Sequence, residues 1–455
     1  MRSSLALLCW LIVTSAQAQQ WDFSLHKHSS GQPGPTLLVI GGIQGDEPGG
    51  FNAASLLVTD YHLQRGELWV VPNLNFESII KRSRGVYGDM NRKFKSIQVN
   101  DPEYQLVEKI KRIITDGQVD VILNLHDGSG FYRPRYVDPL HNPERWGQSL
   151  IIDQEQIDIP RYGKLQDIAT AVSQRVNHKL DDVQQAYYVK NTRTREGNVE
   201  MEKTLTYYAI RQGKAAFGIE ASKAYNTEQR VYFHLSMVEA FMDHLGMAYQ
   251  RDFDLSADGV RERIDNNFKL AMYQSRLYFD MANVREHLYY VPMKKDSPLE
   301  FTASNPLVAI LNNKQNYDVR YGNRNVTELV PQYFPYDETI ASIPMLIDGK
   351  PRKVPFGEVV SVDEAFEVLT MPEYRVNVIG YTRQGVDNEQ GITIHKHQFI
   401  PRYSVDREAR TYRIEVYRNR SFCGMVLISF GRTPVRSSAR PAVGKTTASY
   451  LPTDS

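Results

Sequence analysis

The stretch Thr36-Leu-Leu-Val-Ile-Gly-Gly-Ile-Gln-Gly-Asp-Glu-Pro-Gly-Gly50 decides the fold class. It begins as a continuous apolar run, as a strand covered on both faces requires, and stops at Gly41-Gly42. A helix is predicted from Pro48, with Phe51, Ala54, Leu57 and Val58 at helical spacing. The same design repeats outward. Leu68-Trp-Val-Val71 is a strand stopped by Pro72 and Asn73. Asp101-Pro-Glu103 reads as a helix start, Asp101 capping free N–H groups and Pro102 sitting in the first turn. Leu106, Val107, Ile110, Ile113 and Ile114 then line one face as far as Gly117. Val119 to Leu125 is a strand ending at His126, and Ala215 to Ile219 is one ending at Glu220, before a helix from about Asn226 to Leu245. This alternation implies an α/β domain over residues 19–250. Its mixed, mostly parallel sheet is flanked by helices and binds ligands at the carboxyl ends of its strands.

Beyond residue 250 the character changes. A β-rich middle domain is expected over 251–342, with a helix near Val260 to Tyr273 and strand-like runs such as Leu307 to Leu311. Tyr374 to Tyr381, Gly391 to Ile400, Thr411 to Tyr417 and Met425 to Phe430 are short strands between turn residues, which predicts a small Ig-like β-sandwich over 343–433. From Pro434 the chain is rich in Ser, Arg, Ala, Thr and Pro without hydrophobic periodicity, so 434–455 is expected to be a disordered tail. At the other end, Arg2, the apolar run Leu5 to Val13 and Ala16-Gln-Ala18 form a signal peptide over 1–18, too short in its apolar part to span a bilayer. The exported chain then keeps Cys423 alone, so no internal disulfide can form. With 54 basic and 53 acidic residues there is no strong field to draw nucleic acid or an anionic membrane.

Chemistry concentrates at the strand ends. Gln44 and Glu47 lie three apart on the glycine-rich turn, a spacing at which two side chains can hold one ion. His126, from a distant strand end, would be the third ligand; such a set leaves coordination open, as a catalytic zinc requires. The plainer alternatives are a strand-to-helix loop or a phosphate cradle at Gly41 to Gly50, although the Lys-Ser/Thr ending of a nucleotide loop is missing. His126 could also be a packing residue and Glu220 a paired core carboxylate, yet an ionisable group directly after an apolar strand is costly without a partner or a task. A solvated basic loop is the plain reading of Arg84, Asn91 and Arg92. Ser129 lacks the setting of a nucleophile elbow. The pairs His26/His28 and His395/His397 are expected to be exposed surface residues.

In order along the chain, Gln44-Gly-Asp-Glu47, Asn91-Arg92, His126 and Glu220 resemble the His-x-x-Glu, Asn-Arg, His, Glu series of the funnelin zinc metallocarboxypeptidases. With Gln in place of the first His, they are most similar to the bacterial cell-shape-determining D,L-carboxypeptidases, and Asp89-Met-Asn-Arg-Lys-Phe94 and Leu125-His-Asp-Gly-Ser-Gly-Phe-Tyr132 extend the match. The resemblance implies a periplasmic enzyme with one Zn2+ on Gln44, Glu47 and His126, and with Glu220 as catalytic base beside Arg84, which stabilises the oxyanion. It further implies that Asn91 and Arg92 grip a terminal carboxylate and that Trp146 and Thr206 contact the released amino acid. The implied substrate is a peptidoglycan tripeptide, cut between γ-D-glutamate and meso-diaminopimelate. An amide oxygen at Gln44 keeps the ligand charge of an imidazole but is a weaker donor, which leaves zinc a stronger Lewis acid. The C-terminal segments are expected to position the enzyme on the wall or to recruit periplasmic protein partners. Two competing functions are a deacylase of the aspartoacylase or succinylglutamate-desuccinylase type, which has a similar metal loop, and a non-catalytic wall-binding scaffold using Asn91 and Arg92.

Overall fold

The computed structural model describes residues 21–180, 182–265 and 268–431, with the backbone of 446–447. The expected signal peptide lies outside the described residues, as does the expected tail apart from 446–447, which pair antiparallel with Glu300 and Phe301. Among the described residues no helix is long and apolar enough to cross a membrane.

The first domain is built on a seven-stranded mixed sheet in the order His26–Ser29, Glu67–Val71, Thr36–Ile40, Val121–Gly128, Ala215–Ser222, Ser149–Ile152, Tyr188–Asn191. Its four central neighbours, Glu67–Val71 through Ala215–Ser222, run parallel, and both outer sides contain reversed strands. Every residue of Thr36–Ile40 and of Val121–Gly128 is buried, as strands covered on both faces must be. Pro48–Thr59, Leu165–Asn177, Thr227–His244 and Ala257–Ile264 pack on one another over the sheet. Thr227–His244 starts at an Asn226 cap that is closed reciprocally by Gln229. The regular helix after Asp101 begins at Tyr104 rather than Pro102, because the Asp101 carboxylate accepts from the Glu103 N–H and closes a turn before the helix. Val107, Ile110 and Ile114 of this helix enter the same core.

The helix expected over Val260 to Tyr273 ends at Ile264, whereas Lys269–Met272 is a strand that buries alternate residues Leu270 and Met272. Ala257–Ile264 belongs to the first domain, since Val260 and Ile264 sit in its core. The middle region carries two four-stranded sheets, Leu277–Asp280, Lys269–Met272, Glu300–Ala303, Thr446–Thr447 and His287–Lys294, Arg324–Phe334, Asn316–Tyr321, Val308–Asn313. The last region packs Lys350–Pro355, Ser342–Ile347, Ala365–Val368, Ile394–His395 against Val359–Val362, Ser421–Phe430, Thr411–Arg418, Tyr374–Val378, a sandwich around Val376, Ile414, Val426 and Phe430. The strand expected over Gly391 to Ile400 shrinks to Ile394–His395. Lys396-His-Gln398 offers no alternating apolar face and folds into a 3-10 turn closed by the Gln398 side chain.

Candidate active site

Three polar side-chain atoms from distant stretches of the chain converge on one point. Gln44 Oε1 and Glu47 Oε2 each lie 3.0 Å from His126 Nδ1, and all three side chains are buried. The loop reaches this point because Gly45 passes against the backbone of Ser78, where a Cβ would fall 2.0 Å from the Ser78 carbonyl. Glu47 holds the N-cap position of Pro48–Thr59 without capping it, so its carboxylate is free to face His126 and to accept from the Asp127 N–H at 3.2 Å. The vacated capping role falls to Asp127, which accepts from the Gly49 N–H at 2.9 Å and is locked by His234 at 3.0 Å and Arg230 at 3.1 Å. These partners hold the Asp127 carboxyl below its ordinary range against the desolvation of burial.

Donors held about 2.0–2.1 Å from a tetrahedral zinc stand about 3.3 Å from one another, so the spacing of this trio suits a single small cation. The support behind His126 suits it too. The Asn124 amide lies 2.8 Å from His126 Nε2, and the buried Asn124 Oδ1 has no partner. Exchanging the amide's two ends loses no bond and gives Nε2–H an acceptor, leaving the Nδ1 lone pair directed at the converging oxygens. Burial opposes protonation of His126, but Glu47, Glu220 and Asp89 outweigh it and raise its pKa. Among the described residues no trio of His, Cys, Asp or Glu is arranged to hold a metal. Only with the Gln44 amide does the donor set reach three.

Glu220 stands opposite His126 in the parallel register of Val121–Gly128 and Ala215–Ser222, and opposite Ser149 on its other side. Desolvation pushes its carboxyl up to about 8; His126 pulls it back, while Glu47 and Asp127 push it further. Arg84 is half exposed and binds Glu47 Oε1 at 3.2 Å and Asp89 Oδ2 at 3.0 Å. Asp89 also accepts from the Gln44 amide at 2.8 Å, which fixes Gln44 with its oxygen toward His126. Asn91 is buried; its oxygen accepts from the Leu205 N–H at 2.9 Å and its amide lies 3.4 Å from His126 Nε2. Arg92 donates to the Asn91 carbonyl and lies 3.7 Å from the exposed Glu200. Thr206 lies in the first turn of the helix Leu205–Arg211 and hydrogen-bonds the buried Asp153 carboxyl. Trp146 lies against Gly128, where a Cβ would meet it at 2.7 Å, and its ring faces the Lys190 amine at 4.3 Å.

The structure therefore gathers Gln44, Glu47, His126, Glu220, Arg84 and Asn91 into one site, with Arg92, Thr206 and Trp146 around it. Ser129 is exposed, and its carbonyl accepts from the Trp146 and Gly147 N–H groups. His26 and His28 are half-buried rather than exposed, and desolvation lowers both. His395 is half-buried and His397 exposed. Sequence reasoning missed Asn124, Asp127, His234, Lys190 and Lys223, whose amine lies 3.5 Å from Glu47 Oε1. A polar Asn124 inside the apolar run Val121 to Leu125 and a His234 among Phe233 and Leu235 were the available signals.

A family model described as the catalytic region of carboxypeptidases controlling helical cell shape matches residues 5–265, and one described as the C-terminal domain of metallo-carboxypeptidases matches 336–431. The chain belongs to this cell-shape carboxypeptidase family. As a metallocarboxypeptidase of that family it is an enzyme whose chemistry calls for a metal. The apo structure of cell shape determinant protein Csd4 from Helicobacter pylori is 38% identical, with 90% of this chain and 100% of that chain covered at a TM-score of 0.82. Its mDAP-bound form, named a D,L-carboxypeptidase, is 40% identical over 87% of this chain and 96% of that one, TM-score 0.81. Its tripeptide-bound form is 38% identical over 90% and 100%, TM-score 0.81. No curated protein matches the chain.

Proposed function

We propose that this cell-shape carboxypeptidase is an exported, zinc-dependent D,L-carboxypeptidase that removes terminal meso-diaminopimelate from peptidoglycan tripeptides, leaving the dipeptide. The observation that carries the reading is the meeting of Gln44 Oε1, Glu47 Oε2 and His126 Nδ1 at 3.0 Å, beside Glu220 in register. Those three side chains would hold the zinc, which when bound supplies a Lewis acid and a water of lowered pKa.

The chain's own residues do the rest. Glu220, with its carboxyl already pushed up by desolvation, takes the proton of the attacking water and returns it to the leaving amine. Arg84 is fixed by Glu47 and Asp89 at the rim of the site and faces the oxygen on which charge develops. Arg92 and Asn91 receive the terminal carboxylate, which restricts cleavage to the chain end. For Asn91 to do so, its amide must turn partly from His126 while its oxygen stays on Leu205. The mDAP-bound and tripeptide-bound forms of the H. pylori protein support a wall-derived substrate.

Mass analysis of muropeptides incubated with the zinc-loaded protein tests the reading. The wild type should convert tripeptide to dipeptide plus diaminopimelate, and Glu220→Ala should slow this by roughly 10²–10⁴-fold. Cleavage of an N-acyl amino acid with the tripeptide left intact would transfer the assignment to the deacylase class. Absence of stoichiometric metal together with no turnover of either would leave a wall-binding scaffold.

A further inference from the structure

The register that sets Glu220 beside His126 also aligns a second rank of residues behind them. His126, Glu220, Ser149 and Tyr188 lie opposite one another across four strands, and so do Asn124, Gly218, Ile151 and Lys190. The two ranks are two residues apart on every strand, so both project from the same face of the sheet. Asn91 binds the Leu205 N–H, which brings the start of the helix Leu205–Arg211, and Thr206 with it, over this face. Asn91 and Asn124 of the second rank both reach His126 Nε2, at 3.4 and 2.8 Å, so a peptide whose terminal carboxylate rested on Asn91 and Arg92 would carry its last side chain beside that rank. Gly218 puts no side chain into that rank, and a Cβ at that point would crowd Ile151 at 3.2 Å.

Lys190 closes that space. Its amine donates to the carbonyls of Pro143 and Arg145 at 2.8 Å each, and lies 4.3 Å over the Trp146 ring and 4.6 Å over the Tyr132 ring. An ammonium has three donors, and this cage uses two. Desolvation brings its pKa down to about 8, and Glu220 is the one group whose charge pulls it back up. Arg133, on the same wall, is similar. It donates to the carbonyls of Tyr132, Gln184 and Ala186, its guanidinium faces the Tyr188 ring at 4.7 Å, and its net pKa is lowered by desolvation. Among the described residues neither cation forms an ion pair with a carboxylate. Positive charge that is buried, as at Arg133, or half-buried, as at Lys190, is costly without a counter-ion, and an anion brought by a ligand would relieve it.

We infer that Lys190 is a specificity residue that binds a carboxylate on the side chain of the released amino acid, so that the enzyme selects a terminal diamino dicarboxylic acid over lysine. This rests on the carboxypeptidase reading above. The bland alternative is that Lys190 only staples the loop carrying Trp146 to the strand Tyr188–Asn191.

The test compares two γ-D-glutamyl tripeptides, one ending in meso-diaminopimelate and one in L-lysine, which lacks only the distal carboxylate. Lys190→Met should raise KM for the first at least tenfold and for the second no more than about threefold, with kcat for both within threefold, and Lys190→Arg should restore most of the preference. Lys190→Gln, which keeps a donor for the carbonyl cage, should lose the preference as Lys190→Met does. Equal losses on both peptides, or an unchanged preference in both neutral variants, would overturn the inference. Titration calorimetry of the zinc-loaded protein with free diaminopimelate and free lysine decides the point without turnover: the wild type should favour diaminopimelate and Lys190→Gln should not. If the wild type cleaves neither tripeptide, the carboxypeptidase reading falls, while this binding comparison still upholds or rejects the role of Lys190.

Discussion

Replacing Asn124 with leucine tests how the imidazole at the centre of the site is held. Asn124 is fully buried, its amide lies 2.8 Å from His126 Nε2, and its Oδ1 has no other partner. The neighbouring Asn91 cannot substitute, because its oxygen is committed to the Leu205 N–H. For Nδ1 to present a lone pair toward Gln44 Oε1 and Glu47 Oε2, the proton must sit on Nε2, and Asn124 Oδ1 is the acceptor within reach. Leucine has nearly the same size but leaves that N–H buried and unpaired. Loss of such an outer hydrogen bond typically weakens metal affinity 10–100-fold, about 1.4–2.8 kcal/mol. The assay is competition for zinc between the purified protein and a chromogenic chelator, with the Co2+ absorption spectrum as a second readout and thermal melting as the folding control. Asn124→Asp keeps an acceptor and should match or exceed the wild-type affinity. If Asn124→Leu folds normally yet holds zinc within about twofold of the wild type, the tautomer argument is wrong.

Gly45→Ala forces a Cβ to within 2.0 Å of the Ser78 carbonyl, so the metal loop must shift; zinc binding and activity should fall together by more than tenfold, measured by metal content and peptide turnover. A chain truncated after residue 342 should aggregate rather than act as an independent catalytic unit, because Val405, Tyr417, Phe422, Met425 and Leu427 complete the middle core; a soluble, cooperatively melting truncation would contradict this. Asp153→Asn tests a buried acid whose pKa is raised by desolvation despite hydrogen bonds from Thr194, Thr192 and Thr206. The folded state binds that proton more tightly than the unfolded chain, so the contribution to stability is present in acid and is lost as pH rises through the raised value. The variant should therefore gain about 1 kcal/mol over the wild type at pH 8 and lose that advantage at pH 4 by urea denaturation; the reverse trend would refute the sign.

Much of the catalytic domain was legible because fully buried parallel strands leave a plain signature. Thr36–Ile40, Val121–Gly128 and Ala215–Ser222 were marked by apolar runs, and the candidate site residues lie at or just beyond their carboxyl ends. What the runs could not supply was register. Spacing along the chain does not say that His126 pairs with Glu220, or that Lys190 shares a rank with Gly218, since both follow from hydrogen bonding between strands far apart in sequence. Lys190 sits in Tyr188–Asn191, a four-residue edge strand whose residues are half-buried or exposed and which carries no apolar run. Asp127 and His234 were hidden for a related reason, as each stands beside a more conspicuous neighbour and the two meet only where the helix Thr227–His244 packs on the strand Val121–Gly128.

The middle region failed to declare itself because it does not own its core. Phe51, Phe76, Ile79 and Ile80 come from the catalytic domain and Phe422, Met425 and Leu427 from the last strands, and all pack with Phe268, Leu270, Phe279 and Ile310 in one cluster. Its short strands need less hydrophobic periodicity of their own when about a third of the buried cluster is lent by neighbours. The same arrangement has a consequence for the site. Ser78, against which Gly45 packs, lies on the short helix Phe76–Ile80 whose Phe76, Ile79 and Ile80 are buried in the shared cluster. Arg82, two residues beyond this helix, donates to the Asn323 carbonyl at 2.6 Å, and Arg320 donates to the Ile80 carbonyl at 3.3 Å. The glycine-rich loop that carries Gln44 and Glu47 is thus backed by an element that the β-rich half of the chain clamps in place. Through that buttress the extra sheets would bear on the geometry of Gln44 and Glu47, which is a reason for their attachment to the catalytic domain that requires no partner.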